Sequence, residues 1–210
     1  GDTDWDFVSG FTYNAFYATM EARRMHIYGD TEEDLAEIAV MCHNNSLENP
    51  YAQWPTQHGF GKITVEDVYK SRLISWPYRL YECAMTSEGA SAMLIANEEM
   101  TKKLTDNPVW ISGVGFGSDT MRAGDRPDNP AWKGVYPEDE KIWPKTVPKP
   151  MSPYPDLQNF GSLRVSARMA YKDAGIKNPR KEISFVEIFD PYAGVVLAGL
   201  EDFDFCKRGD

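Results

Sequence analysis

The sequence has few cysteines, and no two of them form a C-x-x-C pair. Cys42, Cys83 and Cys206 are widely separated, which excludes a disulfide framework and favours a reducing, cytoplasmic location. Cys42 and Cys83 are expected to be small buried side chains. Lys207 and Arg208 follow Cys206 and could lower the pKa of its thiol, although an incidental thiol near the chain end is the alternative. The three histidines lack metal-ligand spacing, so no metal site is expected.

The sequence also lacks an excess of positive charge and long apolar runs. It carries 32 acidic and 22 basic residues, with a net charge of -10, which argues against a general nucleic-acid binder, because such a protein needs a basic face to neutralise phosphates. No apolar run reaches the roughly 18 residues expected of a membrane span. The chain does not begin with Met and shows no signal peptide, which we interpret as a processed chain or a fragment. The 42% hydrophobic and 13% aromatic content is typical of a globular protein.

Helix signals dominate the first 70 residues. Residues 13–28 contain good helix formers and are followed by Gly29, a natural C-terminal cap. Thr31 and Thr64 each precede carboxylates, which is the pattern of an N-cap in front of a helix dipole. We therefore predict three helices here, with a loop over residues 51–62.

Strand and helix signals alternate in the second half, which indicates an α/β protein. The predicted strands are 90–96, 109–114 and 183–188, and the predicted helices are 98–104, 163–174 and 192–200. Glycines at 113, 115 and 117 lack the full dinucleotide-binding spacing and precede no helix, so we interpret them as sites of close strand packing. Residues 118–157 hold eight of the 14 prolines and are predicted to form a long ordered excursion or a linker.

Short motifs in a characteristic order run through most of the chain. They are YGDTEEDLA at 28–36, HNN at 43–45, NPYAQ at 49–53, ITVEDV at 63–68, CAMTSEGASA at 83–92 and VEIFDPY at 186–192. Together they resemble the middle portion of the thiolase superfamily. The closest resemblance is to its sterol-carrier, lipid-transfer branch and to thiolase-like aldolases. The Pro-rich stretch 118–157 is not covered by the resemblance.

The resemblance implies a thiolase-like α/β fold made of a helical loop domain and parts of both core halves. The loop domain would occupy 1–86, the end of the N-terminal core half 87–117, the excursion 118–157 and the start of the C-terminal core half 158–210. It implies action on acyl-CoA thioesters by carbon–carbon bond cleavage or formation, or by acyl transfer. Sequence outside the chain or a partner subunit would supply the nucleophilic Cys. The alternative is a non-catalytic subunit that binds lipid or acyl-CoA or scaffolds a partner.

Phe189 is the most informative departure from the family pattern. It occupies the position of a family His that donates to the thioester oxygen in the condensation step, and Phe can neither donate a hydrogen bond nor take a proton. We therefore predict that ordinary thiolase condensation is disabled. The neighbouring Asp190 and Tyr192 are the candidate catalytic acids or bases. For Tyr192 the alternative is a packing role like that of the family Phe.

The resemblance also implies where substrate and partners would bind. Arg23, Arg24 and Arg72 are candidates for the phosphates of coenzyme A, with plain surface charge as the alternative. His58 lies in a Gly-rich loop and is a candidate for substrate contact, or else a solvated loop residue. The CoA thioester would be a substrate, with no tightly bound cofactor. We expect a homo- or hetero-oligomer, with a small OB-fold (DUF35-type) subunit among the candidate partners.

Overall fold

Capped helices form the first part of the molecule. The structure is a computed structural model of the chain, and it describes residues 3–119 and 160–210. The first four helices are α1 (Tyr13–Tyr28), α2 (Glu32–Ser46), α3 (Gln53–His58) and α4 (Val65–Lys70). The predicted Pro-rich excursion lies outside the described residues except for positions 118 and 119.

Short strands and further helices follow. An antiparallel hairpin joins β1 (Leu73–Ser75) to β2 (Tyr78–Arg79), and a 3₁₀ turn spans Leu80–Glu82. The remaining described helices are α5 (Glu98–Leu104), α6 (Gly161–Ala174), α7 (Pro179–Glu182) and α8 (Ala193–Asp202). None of the helices in the described ranges is long and apolar enough to cross a membrane.

The helix boundaries follow the predicted capping signals. Gly29 ends α1 with a φ of 89°, and its N–H donates to the carbonyl of Met25. Thr31 opens α2 in a capping box, in which its hydroxyl accepts from the N–H of Asp34 while the Asp34 carboxylate accepts from the N–H of Thr31. Thr64 opens α4 by the same geometry. These helix predictions are confirmed. They could be made from sequence because capping depends only on residues within one turn.

The predicted loop over 51–62 is wrong in part, because α3 lies inside it. Pro55 occupies the first turn of α3, where a missing N–H breaks no intrahelical hydrogen bond. Gly59, with a φ of 64°, ends the helix in the left-handed conformation that glycine tolerates. Proline and glycine therefore bound this short helix rather than prevent it.

Two apolar clusters pack against adjoining faces of α2. The first joins α1, β2 and α8 and consists of Ala18, Leu35, Tyr78, Tyr192, Ala193 and Val195. The second lies under α3 and α4 and consists of Ala36, Ala39, Trp54, Ile63 and Val68. Because α2 contributes Leu35 to one cluster and Ala36 to the other, it is the central element of this part of the fold.

Alternate glycines pack directly on the backbone of α6. A Cβ at Gly113, Gly115 or Gly117 would lie 2.2, 1.7 or 2.1 Å from the backbone oxygen of Ala170, Ser166 or Ser162, respectively. Four helical residues rise about 6 Å, and two residues of a strand rise about 6.6 Å. Every second residue of this segment therefore meets the next turn of α6. The interpretation of these glycines as sites of close packing is confirmed, with a helix as the partner.

The three predicted strands are not paired into a sheet within residues 3–119 and 160–210. The segments 90–96, 109–114 and 183–188 have apolar sequences, but the sheet among the described residues is the β1–β2 hairpin. A strand is completed only by a hydrogen-bonded neighbour, and none of the other described segments provides one. Apolar side chains such as Val109, Leu94 and Phe116 consequently remain exposed.

Candidate functional site

A cavity of about 220 Å³ lies where α2 meets the segment before α8. Cys42 and His43 line it from α2, Glu82 and Cys83 line it from the end of the 3₁₀ turn, and Asp190 lines it from the other side. This cavity gathers the carboxylate predicted to be catalytic together with further titratable side chains. It is therefore the candidate functional site.

Backbone contacts hold the two walls of the cavity together. The N–H of Ala84 donates to the carbonyl of Pro191 at 2.9 Å, and Cys83 forms an isolated antiparallel bridge with Tyr192. Tyr192 is also the N-cap residue of α8. Asp190 therefore precedes the N-cap residue of α8 by two positions, and it lines the cavity across from Cys42 of α2.

Cys42 and Asp190 line the same cavity. Burial, together with the nearby carboxylate of Asp190, raises the pKa of Cys42 to about 12. The thiol therefore keeps its proton at neutral pH. It is not a thiolate nucleophile.

His43 is a neutral wall residue. Its Nε2 lies 2.8 Å from the carbonyl oxygen of Tyr81, and since a carbonyl only accepts, Nε2 carries the proton. Burial lowers the pKa of His43, which keeps the ring neutral, and the ring packs on Trp54 with 4.0 Å between centroids. The other ring nitrogen, Nδ1, is then an acceptor.

Glu82 adds a second carboxyl group to the cavity wall. Its carboxylate accepts the N–H of Arg79 at 2.5 Å, and burial raises its pKa to about 7. A group with this pKa changes its protonation near neutrality. The sequence predictions named neither Glu82 nor Cys42 as a site residue, because nothing local to either residue indicates that it lines the same cavity as Asp190.

The structure separates the three predicted catalytic positions. Asp190 lines the cavity, whereas the ring of Phe189 is 79% exposed. Tyr192 is buried, stacks on Tyr17 with 4.5 Å between ring centroids, and donates its hydroxyl proton to Asn14. Burial raises the pKa of Tyr192 to about 12. This placement favours the packing alternative for Tyr192, and of the three positions Asp190 is the one that lines the cavity.

The predicted phosphate-binding residues do not line this cavity. Arg24 is 3% exposed and bonds the carboxylates of Glu201 and Asp30, which favours a structural role. Arg23 is half-buried and Arg72 is exposed. The side chain of His58 lies outside the part that the structure describes, so its predicted contact with substrate stays a prediction.

The other two thiols are also protonated. Burial raises the pKa of Cys83 to about 12 and that of Cys206 to about 11. The lowered pKa that Lys207 and Arg208 could have caused at Cys206 is not found, because burial and the negative charges of Glu201 and Asp210 raise it. This favours the alternative of an incidental thiol. All three cysteines are unpaired, as predicted. Within the described ranges no group of three or more His, Cys, Asp or Glu side chains could hold a metal ion.

Comparison with known proteins gives consistent matches along the chain. The family model described as thiolase C-terminal domain-like matches residues 148–210. An acetyl-CoA acetyltransferase of Methanothermobacter thermautotrophicus is 29% identical over 209 residues, which cover 100% of this chain and 45% of the relative. A steroid side-chain-cleaving aldolase of Thermomonospora curvata is 28% identical over 207 residues, which cover 98% of this chain and 45% of the relative.

A solved structure matches at the level of the fold as well. A chain of an Ltp2-ChsH2(DUF35) aldolase superposes with a TM-score of 0.71 and 25% identity, covering 99% of this chain and 47% of that chain. The present chain thus spans less than half the length of these similar proteins, and the match extends over nearly all of it.

Proposed function

We propose that this chain, which is thiolase-like in sequence and fold, forms part of an enzyme that acts on carbon–carbon bonds of acyl-CoA thioesters. The predicted thiolase-like fold is confirmed by the family model and by the structural superposition. One relative's name contains acetyl-CoA, and another's denotes aldol cleavage, which supports the class of substrate and reaction. The activity of the whole protein is a proposal, because the chain spans about half of its relatives.

The proposed reaction is of the aldol type rather than thiolysis. The observation that carries this is Phe189, which stands where the resemblance places a catalytic His and has no group to donate or accept a proton. Thiolytic cleavage and its reverse need that hydrogen bond to the thioester oxygen. Cleavage of a 3-hydroxyacyl thioester needs a base for the hydroxyl group, and Asp190 beside Phe189 supplies a carboxylate at the cavity.

In the proposed cleavage step, Asp190 both removes and returns the proton. The carboxylate of Asp190 removes the proton of the 3-hydroxyl group, and the O–H electrons form the new carbonyl bond. The bond between carbons 2 and 3 breaks, and its electrons move into the thioester to form an enolate. Asp190 then returns the proton to carbon 2 of the enolate. The products are a ketone or aldehyde and a shortened acyl-CoA, and no oxidant or metal is consumed.

The exposed apolar segments support an assembly. Segments around Leu94, Val109 and Phe116 present large side chains to solvent, and apolar surfaces of this extent mark interfaces. We propose that sequence of the same fold covers them, in a homo- or hetero-oligomer, and that a small OB-fold subunit is a partner. The similar aldolase structure, whose name includes a DUF35 component, supports that partner.

The substrate and its compartment follow from the same reasoning. The CoA thioester enters as substrate, with no tightly bound cofactor. Among the predicted arginines, Arg72 and Arg23 remain the candidates for the phosphates, because Arg24 is occupied by Glu201. The three unpaired cysteines support a reducing compartment, and we propose the cytoplasm.

The test is a comparison of two reactions in the protein that carries this chain, together with its partner subunit. A 3-hydroxyacyl-CoA and a 3-ketoacyl-CoA with free CoA are supplied separately, and the short acyl-CoA product is measured. We expect cleavage of the hydroxy compound and no thiolysis. Asp190→Asn should lower kcat about 100-fold or more, as loss of a general base does, whereas Asp106→Asn on the exposed surface should be neutral.

Two outcomes would overturn this proposal. Thiolysis of the ketoacyl-CoA at an ordinary enzymatic rate would show that Phe189 does not disable that chemistry. Acyl-CoA binding without turnover of either compound would establish the non-catalytic alternative, in which the thiolase-like chain binds its ligand or supports a partner.

A further inference from the structure

Glu21 is a buried carboxyl group that the proposed reaction does not use. It lies in α1, is 1% exposed, and its Oε2 accepts a hydrogen bond from the hydroxyl group of Tyr78 at 3.5 Å. Across residues 3–119 and 160–210 no donor reaches its other oxygen, Oε1, which is also buried. An ionised carboxylate accepts on both oxygens, and burying it without donors is costly. The site therefore suits the neutral form of Glu21.

The charged groups around Glu21 do not compensate for its burial. Arg24, three positions further along α1, donates to Glu201 of α8 through both terminal nitrogens and to Asp30 through Nε. Burial raises the pKa of Tyr78, so this neighbour from β2 is neutral. Burial also raises the pKa of Glu21 to about 8, and Arg24 opposes this shift while the negative charge of Asp30 adds to it. Glu21 thus holds its proton at neutral pH.

The first turn of α8 closes directly over this carboxyl group. Gly194 is the second residue of α8, and a Cβ there would lie 1.8 Å from Oε2 of Glu21 and 2.5 Å from the hydroxyl oxygen of Tyr78. The helix backbone therefore stands where water would otherwise hydrate the carboxyl group. The partial positive charge at the start of a helix attracts a carboxylate, but it gives Oε1 no hydrogen-bond donor within the described ranges. Hydration of Glu21 thus requires this turn to move.

The same turn of α8 is joined to the wall of the cavity. Tyr192, the N-cap of α8, forms the isolated bridge with Cys83, and its ring lies 5.2 Å from the ring of Tyr78. The carbonyl of Pro191 accepts from the N–H of Ala84 at 2.9 Å. Cys83 and Ala84 line the cavity from one side of these contacts, and the residue before Pro191 lines it from the other. A movement of the first turn of α8 therefore moves this wall.

We propose that Glu21 and Gly194 form a pH-sensitive seat for the start of α8. While Glu21 is neutral, the helix closes on α1 and holds the wall of the cavity at residues 190–192. Ionisation of Glu21 releases its proton to solvent and requires water at the carboxylate, so a rise in pH shifts the population towards an open wall. The response of the wall stands on its own, whereas its effect on catalysis rests on the proposed function.

Hydrogen exchange of the Ala84 N–H in the assembled protein tests the wall, because this N–H donates to Pro191. Protection factors remove the intrinsic pH dependence of exchange. Protection should fall as pH rises from about 5 to about 8, by at most about 10-fold per pH unit for one proton, and level off above that. Glu21→Gln cannot ionise and should keep nearly constant protection. Glu37→Gln, on the exposed face of α2, should follow the wild type.

A second amide distinguishes an opening of the wall from unfolding of the whole chain. The N–H of Val68 donates to Thr64 at the buried side of α4, away from α8, and should open only with the whole fold. Ala84 should be protected at least about 10-fold less than Val68. Equal protection factors at the two amides would overturn the seat, because Glu21 would then act through global stability alone.

The packing of the seat is tested by adding a side chain. Gly194→Ala places its Cβ against Glu21 and should lower the protection of Ala84 several-fold even at about pH 5, where Glu21 is neutral. Glu21→Ala in the same chain makes room and should restore part of the loss. Gly199→Ala is the control in the same helix, since its Cβ meets only the side chain of Ile188, at 3.1 Å. Equal effects of the two glycine substitutions would contradict the seat.

The kinetic arm separates this inference from the proposed function. The ratio of kcat/KM for wild type to that for Glu21→Gln cancels the titration of other groups, and it should fall as pH rises to about 8. The pH response of Ala84 without any carbon–carbon bond cleavage by the wild type would keep the seat and refute the function. Protection of Ala84 that is independent of pH in the wild type, or equally dependent in Glu21→Gln, would overturn the seat whether or not the protein cleaves its substrate.

Discussion

The carboxylate of Glu201 accepts hydrogen bonds from both terminal nitrogens of the Arg24 guanidinium, at 2.8 and 2.9 Å, although 177 positions separate the two residues. Both side chains are buried, and Arg208 approaches the same carboxylate at 3.0 Å. Glu201 lies in α8 and Arg24 in α1, so the contact joins the beginning of the chain to its end. Buried ion pairs add little net stability, but the loss of one partner leaves a charge without compensation.

Arg24→Ala should therefore destabilise the fold strongly. We expect a loss of about 3–5 kcal/mol in the free energy of unfolding, because Glu201 would keep its charge in a buried site with one cation fewer. Urea unfolding followed by circular dichroism measures it. Arg72→Ala, on the exposed surface, is the matched control and should change stability by less than about 0.5 kcal/mol. Similar effects of the two substitutions would contradict a structural role for Arg24.

Because of the buried carboxyl group of Glu21, the free energy of unfolding should fall as pH rises. Its carboxyl group is 1% exposed, and burial raises its pKa to about 8 against the opposing effect of Arg24. Between about pH 4.5 and about pH 8 the folded chain keeps a proton that the unfolded chain releases. The contribution of the protonated Glu21 to the free energy of unfolding is thus fully present below pH 4.5, and it is lost as pH rises through about 8.

Glu21→Gln isolates this effect. Glutamine imitates the protonated carboxyl group, so the variant should lose less stability than the wild type between pH 5 and pH 8 in urea unfolding. Glu37→Gln on the exposed face of α2 should keep the wild-type slope. Parallel stability curves for wild type and Glu21→Gln would show that Glu21 is ionised in the folded chain.

What the sequence predicted well is local. Thr31 with Asp34, and Gly29 after α1, determine helix ends through contacts within a few residues, and such contacts can be recognised from one sequence. The predicted strands depend on pairing partners that are distant in sequence. Apolar composition identified the segments around Leu94 and Val109, but not whether a neighbouring strand would pair with them.

The candidate site shows the same division. The motif around Phe189 placed Asp190 in a functional segment, because the motif is contiguous in sequence. Asp190 and Cys42 line one cavity although they are far apart in the chain, and an apolar helix face gave no reason to expect a carboxylate there. The burial of Arg24 was likewise hidden, because its partner Glu201 lies in the last helix.

Gly115→Ala should disrupt the packing of its segment on α6. A Cβ there would lie 1.7 Å from the backbone oxygen of Ser166, and a helix backbone cannot move without breaking its own hydrogen bonds. We expect a loss of about 1–3 kcal/mol or more in stability, as in other overpacked sites. Gly89→Ala is the control, since nothing lies within 4 Å of its added Cβ. Equal unfolding midpoints for the two variants would contradict the close contact.

Tyr192→Phe should separate packing from catalysis at the start of α8. The Tyr192 hydroxyl donates to Asn14, and its ring stacks on Tyr17 inside the first apolar cluster. Phenylalanine keeps the ring and removes the hydroxyl group, so we expect a loss of about 0.5–1.5 kcal/mol in stability, the usual worth of a hydrogen bond, with kcat for acyl-CoA cleavage unchanged. Asn14→Ala removes the same hydrogen bond from the other side and should lower the free energy of unfolding by a similar amount.

If the hydroxyl were the catalytic acid or base, Tyr192→Phe would lower kcat about 100-fold or more while Asn14→Ala would not. Measuring kcat and unfolding on both variants therefore decides which role the tyrosine has, because packing predicts two matching losses of stability and catalysis predicts one isolated loss of rate.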